Sequence, residues 1–391
     1  MNKEKLSKLQ NVLDEMVDTG FVAGVSCVVL KDGIEQCYYE AGYQDIAAGK
    51  KLSRDTIFRM YSMSKPVTAT AAMILLQEGR IDLMDPVSKY LPGFKNQKVA
   101  RNGIEEPVIK EMTIQNLLNM TSGLTYGGES SVAECRSQKL IDEIVEKLDT
   151  DNALTTVDIA NRIGQQPLAF QPGEKWQYGF SADVLAAVVE VVSGMRYSDF
   201  LQEKIFGPLG MKDTGFFVPE EKQDRLTKIY RQVEGGLVEE LYPNLGVSVS
   251  QEKRPAFESG GAGLVSTIDD YIRFTQMLLN GGSLDGVEIL SPATVEFMTT
   301  AHVTEAQQAG VNAWESLAGY IYGNLLRIMN NPELALGLGS KGEYGWDGWL
   351  GTYMVNDPAH KLTFISMQQR ADSGTTGYTR KMRNIVFSAL D

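Results

Sequence analysis

The hydrophobic period of this chain changes twice, and that change constrains the fold more than any single residue does. Near the start, residues 22–30 and 34–42 are β-prone runs joined by Lys31-Asp32-Gly33. Asp-Gly between two such runs is a strong hairpin signal, because both residues tolerate the positive φ of a tight turn. Near the end, residues 319–329, 344–346, 351–356 and 362–369 are strand-like again, with Asp357-Pro358-Ala359-His360 as a turn before the last run. Between these ends the period becomes 3.6, giving helical stretches at 65–78, 114–119, 139–148, 156–163, 182–193, 197–205 and 269–279. A first helix carries Leu6, Leu9, Leu13 and Met16, and a closing helix runs from Tyr378 to about Leu390. The economical arrangement is an α+β fold: an antiparallel sheet made from both chain ends, flanked by terminal helices, with a mostly helical region inserted. We expect residues 1–85 and 285–391 to form the sheet domain and 86–284 the helical region. A crevice between the two is the expected site.

Charge narrows the partners. The chain has 37 Lys+Arg against 50 Asp+Glu, a formal charge of −13. Such a surface repels phosphate backbones and anionic lipid, so neither nucleic acid nor a membrane is an expected partner. Cys27, Cys37 and Cys135 form an odd set without a CxxC, which fits reduced thiols. The first residues lack an apolar signal core, and no apolar run approaches the ~18 residues needed to span a bilayer. A cytoplasmic location is therefore expected. With only His302 and His360, a multi-histidine metal site is excluded, and neither metal nor organic cofactor is expected.

No GxSxG occurs, so the nucleophile elbow of the α/β-hydrolases is absent. There is no P-loop either. Gly337-Leu338-Gly339-Ser340-Lys341-Gly342 matches GxGxxG but leads into more β-like sequence, not into the helix that a dinucleotide site needs. Ser-x-x-Lys occurs twice, at Ser62 and at Ser250, against about one match expected by chance. Ser250 lies in a polar stretch ending at Pro255 and reads as loop. Ser62 opens a segment with Val67, Thr70, Ala71, Ile74 and Leu75 on one stripe and Gly79 as terminator. Pro66 is compatible with a first helical turn. Ser62 and Lys65 then share a helical face, and burial there disfavours the charged lysine and makes it a base. The plainer alternative makes Ser62 an N-cap and Lys65 a snorkelling surface residue.

Two further segments bear on that choice. Tyr178 lies just ahead of an almost wholly apolar helix containing Val184, Leu185, Val188 and Val189, so it is either a core residue or a phenolic proton relay. Tyr344-Gly345-Trp346-Asp347-Gly348-Trp349 puts glycines inside a strand, where a ligand can approach the backbone. A strand N–H beside a helix N-terminal N–H would make a two-donor oxyanion hole.

Taken in order, these segments resemble the serine β-lactamase/penicillin-binding superfamily, and most of all its class-C-like esterases, the family VIII carboxylesterases. The resemblance extends through Tyr61-Ser62-Met63-Ser64-Lys65-Pro66, Asp85-Pro86-Val87-Ser88, Leu117-Leu118-Asn119-Met120-Thr121-Ser122-Gly123-Leu124 and Trp176-Gln177-Tyr178. It continues through Phe206-Gly207-Pro208-Leu209-Gly210-Met211, Gly260-Gly261-Ala262-Gly263-Leu264 and Trp346-Asp347-Gly348. The resemblance implies the β-lactamase-like fold, Ser62 as nucleophile and Lys65 as its partner. It further implies Tyr178 as the second-motif base, held near its phenolate form by Lys65, with Trp346-Asp347-Gly348 as the third motif. The oxyanion donors would be the backbone N–H groups of Ser62 and Trp349.

Two departures carry information. Phe180 stands where β-lactamases of this type have an asparagine that holds the drug's side-chain amide. Trp346 stands where they have a lysine that attracts its carboxylate. Losing both favours a small neutral ester with apolar groups. Tyr126, Phe180, Trp314, Trp346 and Trp349 are expected as aromatic pocket walls. The function expected is that of a serine carboxylesterase working through an acyl-enzyme. A β-lactamase, a D-amino-acid peptidase or amidase, and an acyltransferase are the alternatives that would use the same residues.

Overall fold

The computed structural model describes residues 1–101 and 103–390. The central sheet takes strands from both chain ends: β1 (Gly24–Lys31), β2 (Ile34–Asp45), β3 (Lys50–Lys51), β4 (Tyr320–Gly323), β5 (Leu326–Met329), β6 (Tyr344–Asp347), β7 (Tyr353–Asp357) and β8 (Leu362–Gln368). They lie in the order β4-β5-β6-β7-β8-β1-β2-β3, with every neighbour antiparallel. The join between the ends is the β1–β8 ladder, in which Val28 faces Ile365. The hairpin between β1 and β2 turns at Asp32 (φ +53°) and Gly33 (φ +74°), both left-handed as a type I′ turn requires.

Both faces of β1 are covered, and its side chains alternate between two cores. Val25, Cys27 and Val29 pack with Leu6, Leu9 and Leu13 of helix α1 (Lys3–Asp18). Val28 and Leu30 join the larger core on the other face, built around α2 (Ser64–Gln77) and α3 (Ser181–Ser193). The closing helix α4 (Gly377–Ser388) adds Met382 and Val386 to the smaller core. Alternation on a period of two assigns each side chain to one core or the other, so a one-residue slip would exchange them all.

Three features differ from the sequence-based expectation. Residues 319–329 form two strands, β4 and β5, joined by a turn at Asn324 and Leu325 (φ +50° and +60°). Leucine has no preference for that conformation. The turn is held from outside, by Asn119 Oδ1 accepting from the Asn324 N–H at 3.1 Å and by the Leu325 N–H donating to the Leu118 carbonyl. The helix expected at 139–148 starts earlier, at Val132, under the Ser131 cap. Short helices at Pro292–Met298 and Glu305–Asn312, capped by Ser291 and Thr304, were missed although both caps are legible in the sequence. Among the described residues no helix is long and apolar enough to cross a membrane.

Candidate active site

Ser62 sits in a 3₁₀ turn, Tyr61–Met63, that runs into α2. From Ser64 to Leu75 this helix is buried on all sides, which small residues (Ala69, Ala71, Ala72) permit by letting its neighbours approach closely. Pro66 falls in the first turn, where a missing N–H leaves no bond unmade. Gly79 (φ +68°) ends the helix through Gly79 N–H to Leu76 and Arg80 N–H to Leu75. The turn itself is pinned from two sides: Tyr271 donates to the Met63 carbonyl at 2.7 Å, and Ser64 Oγ accepts from the Leu264 N–H at 3.1 Å.

Lys65 is fully buried at 0% exposure and donates to three oxygens: Ser62 Oγ at 3.0 Å, Tyr126 OH at 3.1 Å and the Gly261 carbonyl at 2.8 Å. Desolvation brings its pKa down to about 7, against the opposing pull of the Asp183 and Asp347 carboxylates. At neutral pH a large fraction is therefore the free amine. Its nitrogen also lies 4.6 Å from the centre of the Tyr178 ring.

Tyr178 hydrogen-bonds Ser62 and accepts from Trp346 Nε1 at 2.9 Å. Burial raises its pKa well above the ordinary phenol value, more than those two bonds lower it. The resting group is thus a neutral phenol, not the phenolate anticipated from the sequence. Trp346, in the position a lysine would occupy, is buried and supplies this N–H.

Two residues that the sequence did not point to complete the surroundings of Lys65. Asp183, in the first turn of α3, is buried and accepts from Ser259 Oγ and from the Gly261 N–H at 3.1 Å. Desolvation raises its pKa, while the Lys65 charge opposes that. Gly261 must be glycine: a Cβ there would lie 2.7 Å from Asp183 Oδ2 and 3.0 Å from the Tyr126 hydroxyl. The Gly260-Gly261 pair thus lets a loop carbonyl reach the buried amine. Asp183 lies five residues beyond Tyr178, at the start of a mostly apolar helix whose other carboxylate, Glu190, falls near its far end, and that placement was the available signal.

The third segment docks against the nucleophile's turn. A Cβ on Gly348 would meet the Met60 carbonyl at 2.5 Å and Thr352 Oγ1 at 2.2 Å, while Thr352 Oγ1 donates to that same carbonyl at 3.1 Å. Asp347 turns away into an ion pair with the buried Arg327 at 3.1 Å and bonds Thr375. Among the described residues the N–H groups of Ser62 and Trp349 have no acceptor within the protein. Two unpaired amides on adjoining turns are what a developing oxyanion needs.

The aromatic residues expected as walls separate into different settings. Tyr126 bonds Lys65 directly. Phe180 is buried behind it, edge-on at 4.9 Å between ring centres, which places it in the core rather than on a crevice surface. Trp314 is 40% exposed and packs on Tyr178 and Trp176, at the outer edge of the cluster. Trp349 is half-buried against Tyr61. Ser250 is exposed in a loop, remote from this chemistry, and its hydroxyl reaches only that of Ser248.

The family model described as Beta-lactamase matches residues 9–385. The chain is 32% identical to Protein Rv1367c of Mycobacterium tuberculosis over 92% of this chain and 89% of that protein. It is 29% identical to Esterase EstB of Burkholderia gladioli, over 98% and 95%. The structure superposes on EstCE1, a hydrolase with promiscuous acyltransferase activity, with a TM-score of 0.82 at 26% identity, covering 98% of this chain and 99% of that one. A buried serine–lysine pair in this fold, with esterases among its relatives, is the mark of a serine hydrolase. The chain belongs to the Beta-lactamase family.

Proposed function

We propose that this protein is a carboxylesterase for small neutral esters, with Ser62 as its nucleophile. One observation carries the reading: Ser62 Oγ lies 3.0 Å from a buried amine whose pKa is about 7, beside a neutral phenol and two unpaired amides. Lys65, as free amine, takes the proton while Oγ adds to the ester carbonyl. The resulting oxyanion is received by the Ser62 and Trp349 N–H groups; loss of one such donor typically costs ~2.7–4 kcal/mol in transition-state stabilisation. Tyr178 gives its proton to the leaving alcohol as the C–O bond breaks, and the Lys65 ammonium over the same ring restores it. Water then repeats the sequence on the acyl-enzyme, releasing the acid and Ser62. Lys65 is the base in this scheme and Tyr178 the acid.

The third motif supports the neutral ester. Trp346 offers an indole N–H already engaged by Tyr178, and the guanidinium beside its ring, that of Arg327, is paired with Asp347. A substrate carboxylate thus meets no free positive charge from that strand. The similarity to EstCE1 makes acyl transfer to an alcohol the second reading, with the same acyl-enzyme and an alcohol in place of water.

The test is a panel of p-nitrophenyl and alkyl esters with a chromogenic cephalosporin, run on wild type and Ser62→Ala, with intact mass after substrate. Ester turnover lost in Ser62→Ala and an acyl adduct mapping to Ser62 are expected. Full turnover by Ser62→Ala, or cephalosporin hydrolysis matching the short esters, would overturn the reading.

A further inference from the structure

Tyr61 precedes the nucleophile and holds φ at +44° although it is bulky and 1% exposed. A non-glycine residue of this size adopts that conformation only when its surroundings impose it, and such strain gathers at functional sites. The peptide plane that Tyr61 turns is the one carrying the Ser62 N–H. Its ring packs on the Trp349 ring at 4.9 Å between centres, tilted by 55°. Trp349 carries the other unpaired amide. The same ring contact therefore joins the two residues whose backbones present the oxyanion donors.

That pair is braced on both sides. Behind Tyr61 lies a small core of Ile229, Val247, Ala262, Leu350 and Ala371. In front, Trp349 Nε1 donates to Asp372 Oδ1 at 2.7 Å, and the Ser373 N–H donates to the Trp349 carbonyl at 3.0 Å. Asp372 is in turn paired with Arg231, on the strand Tyr230–Val233 of a separate hairpin, and Arg231 also pairs with Glu240.

We infer that Tyr61 and Trp349 act as an aromatic clamp that sets the separation and aim of the two oxyanion donors, with Asp372 as the anchor that holds the indole. Tyr61 and Asp372 are positioning residues: they act through the amides of Ser62 and Trp349. The inference rests on the proposed esterase reading. It goes further by tying the oxyanion hole to an external hairpin. A misplaced donor loses transition-state binding while the ground-state ester, held elsewhere, is little affected, so the signature is a loss in kcat at constant KM.

The experiment compares Tyr61→Gly, Asp372→Ala, Asp372→Asn and Leu9→Ala in the full chain. It measures kcat and KM on a short p-nitrophenyl ester and the affinity of an aryl boronic acid. Ser62 Oγ adds to the trigonal boron, its proton passes to Lys65, and a boron-bound oxygen occupies the hole. Glycine accepts the backbone angle at 61, so Tyr61→Gly removes the clamp without forcing the turn. A fall in kcat of about 10²-fold is expected, with a matching loss of boronate affinity and KM within about threefold. Asp372→Ala should lower kcat by about five- to tenfold, and Asp372→Asn, whose amide oxygen still accepts from the indole, should recover most of it. Leu9→Ala loosens the separate core between α1 and the sheet, which includes neither Tyr61 nor Trp349, so it should lower Tm and leave kcat within about twofold.

Unchanged kcat and boronate affinity in Tyr61→Gly would overturn the clamp. So would Asp372→Asn no better than Asp372→Ala, or an equal loss in Leu9→Ala. Full ester turnover by Ser62→Ala would instead remove the esterase reading itself.

Discussion

The indole N–H of Trp346 donates to the hydroxyl of Tyr178 at 2.9 Å, joining β6 of the sheet to the loop ahead of α3. The bond favours the phenolate of Tyr178 and so makes the phenol a better acid. In Trp346→Phe the ring remains and the donor is lost. The phenol becomes a weaker acid, and kcat should fall by about tenfold on alkyl esters, whose alkoxides need a proton. On p-nitrophenyl esters, whose leaving group needs none, the loss should be under about twofold. Initial rates across a leaving-group series check this, and a uniform loss would contradict it.

The pH dependence follows from Lys65. Burial lowers its pKa to about 7, and only the free amine can take the Ser62 proton. Activity is therefore low below that value and rises through it to a plateau. A plot of kcat/KM against pH should show this acid limb, with a slope of one, and Lys65→Met should abolish it together with the activity.

Asp183 pulls the other way. Its charge favours the Lys65 ammonium, and removing it leaves desolvation less opposed. Asp183→Asn should move the acid limb to lower pH, with rates at neutral pH rising relative to the plateau. The same profile measured on the variant decides it; a limb moved to higher pH would show that Asp183 does not act on the lysine through charge.

Gly348 has no room for a side chain. A Cβ at 2.2 Å from Thr352 Oγ1 and 2.5 Å from the Met60 carbonyl would force β6 away from the nucleophile's turn. Gly348→Ala should lower stability by about 1–3 kcal/mol and remove most of the ester turnover. Thermal melts with activity measured well below Tm separate the two effects.

The second Ser-x-x-Lys serves as an internal control. Ser250 is exposed and bonds only to Ser248. Ser250→Ala should keep kcat/KM within about twofold of wild type on every ester tested.

The sheet was legible in the sequence because its signals are local. A period of two, an Asp-Gly turn and apolar strands at both ends require pairing whatever lies between them, and β1 does meet β8. The Ser62–Lys65 contact was legible for the same reason, since helical spacing alone brings i and i+3 together.

What the sequence left open depended on partners far along the chain. Tyr126 was expected as a wall, yet it bonds Lys65 because the loop at Gly260-Gly261 closes behind both. Phe180 was expected beside it on the crevice and is instead packed in the core. Tyr178 was expected as a phenolate, but its protonation depends on how deeply the surrounding elements bury it. Asp183 had no visible role until folding set it opposite the amine. The turn at Asn324 and Leu325 likewise exists because Asn119 holds it. Local spacing fixed which groups could react; long-range packing fixed their solvation, and with it which of them carries the proton.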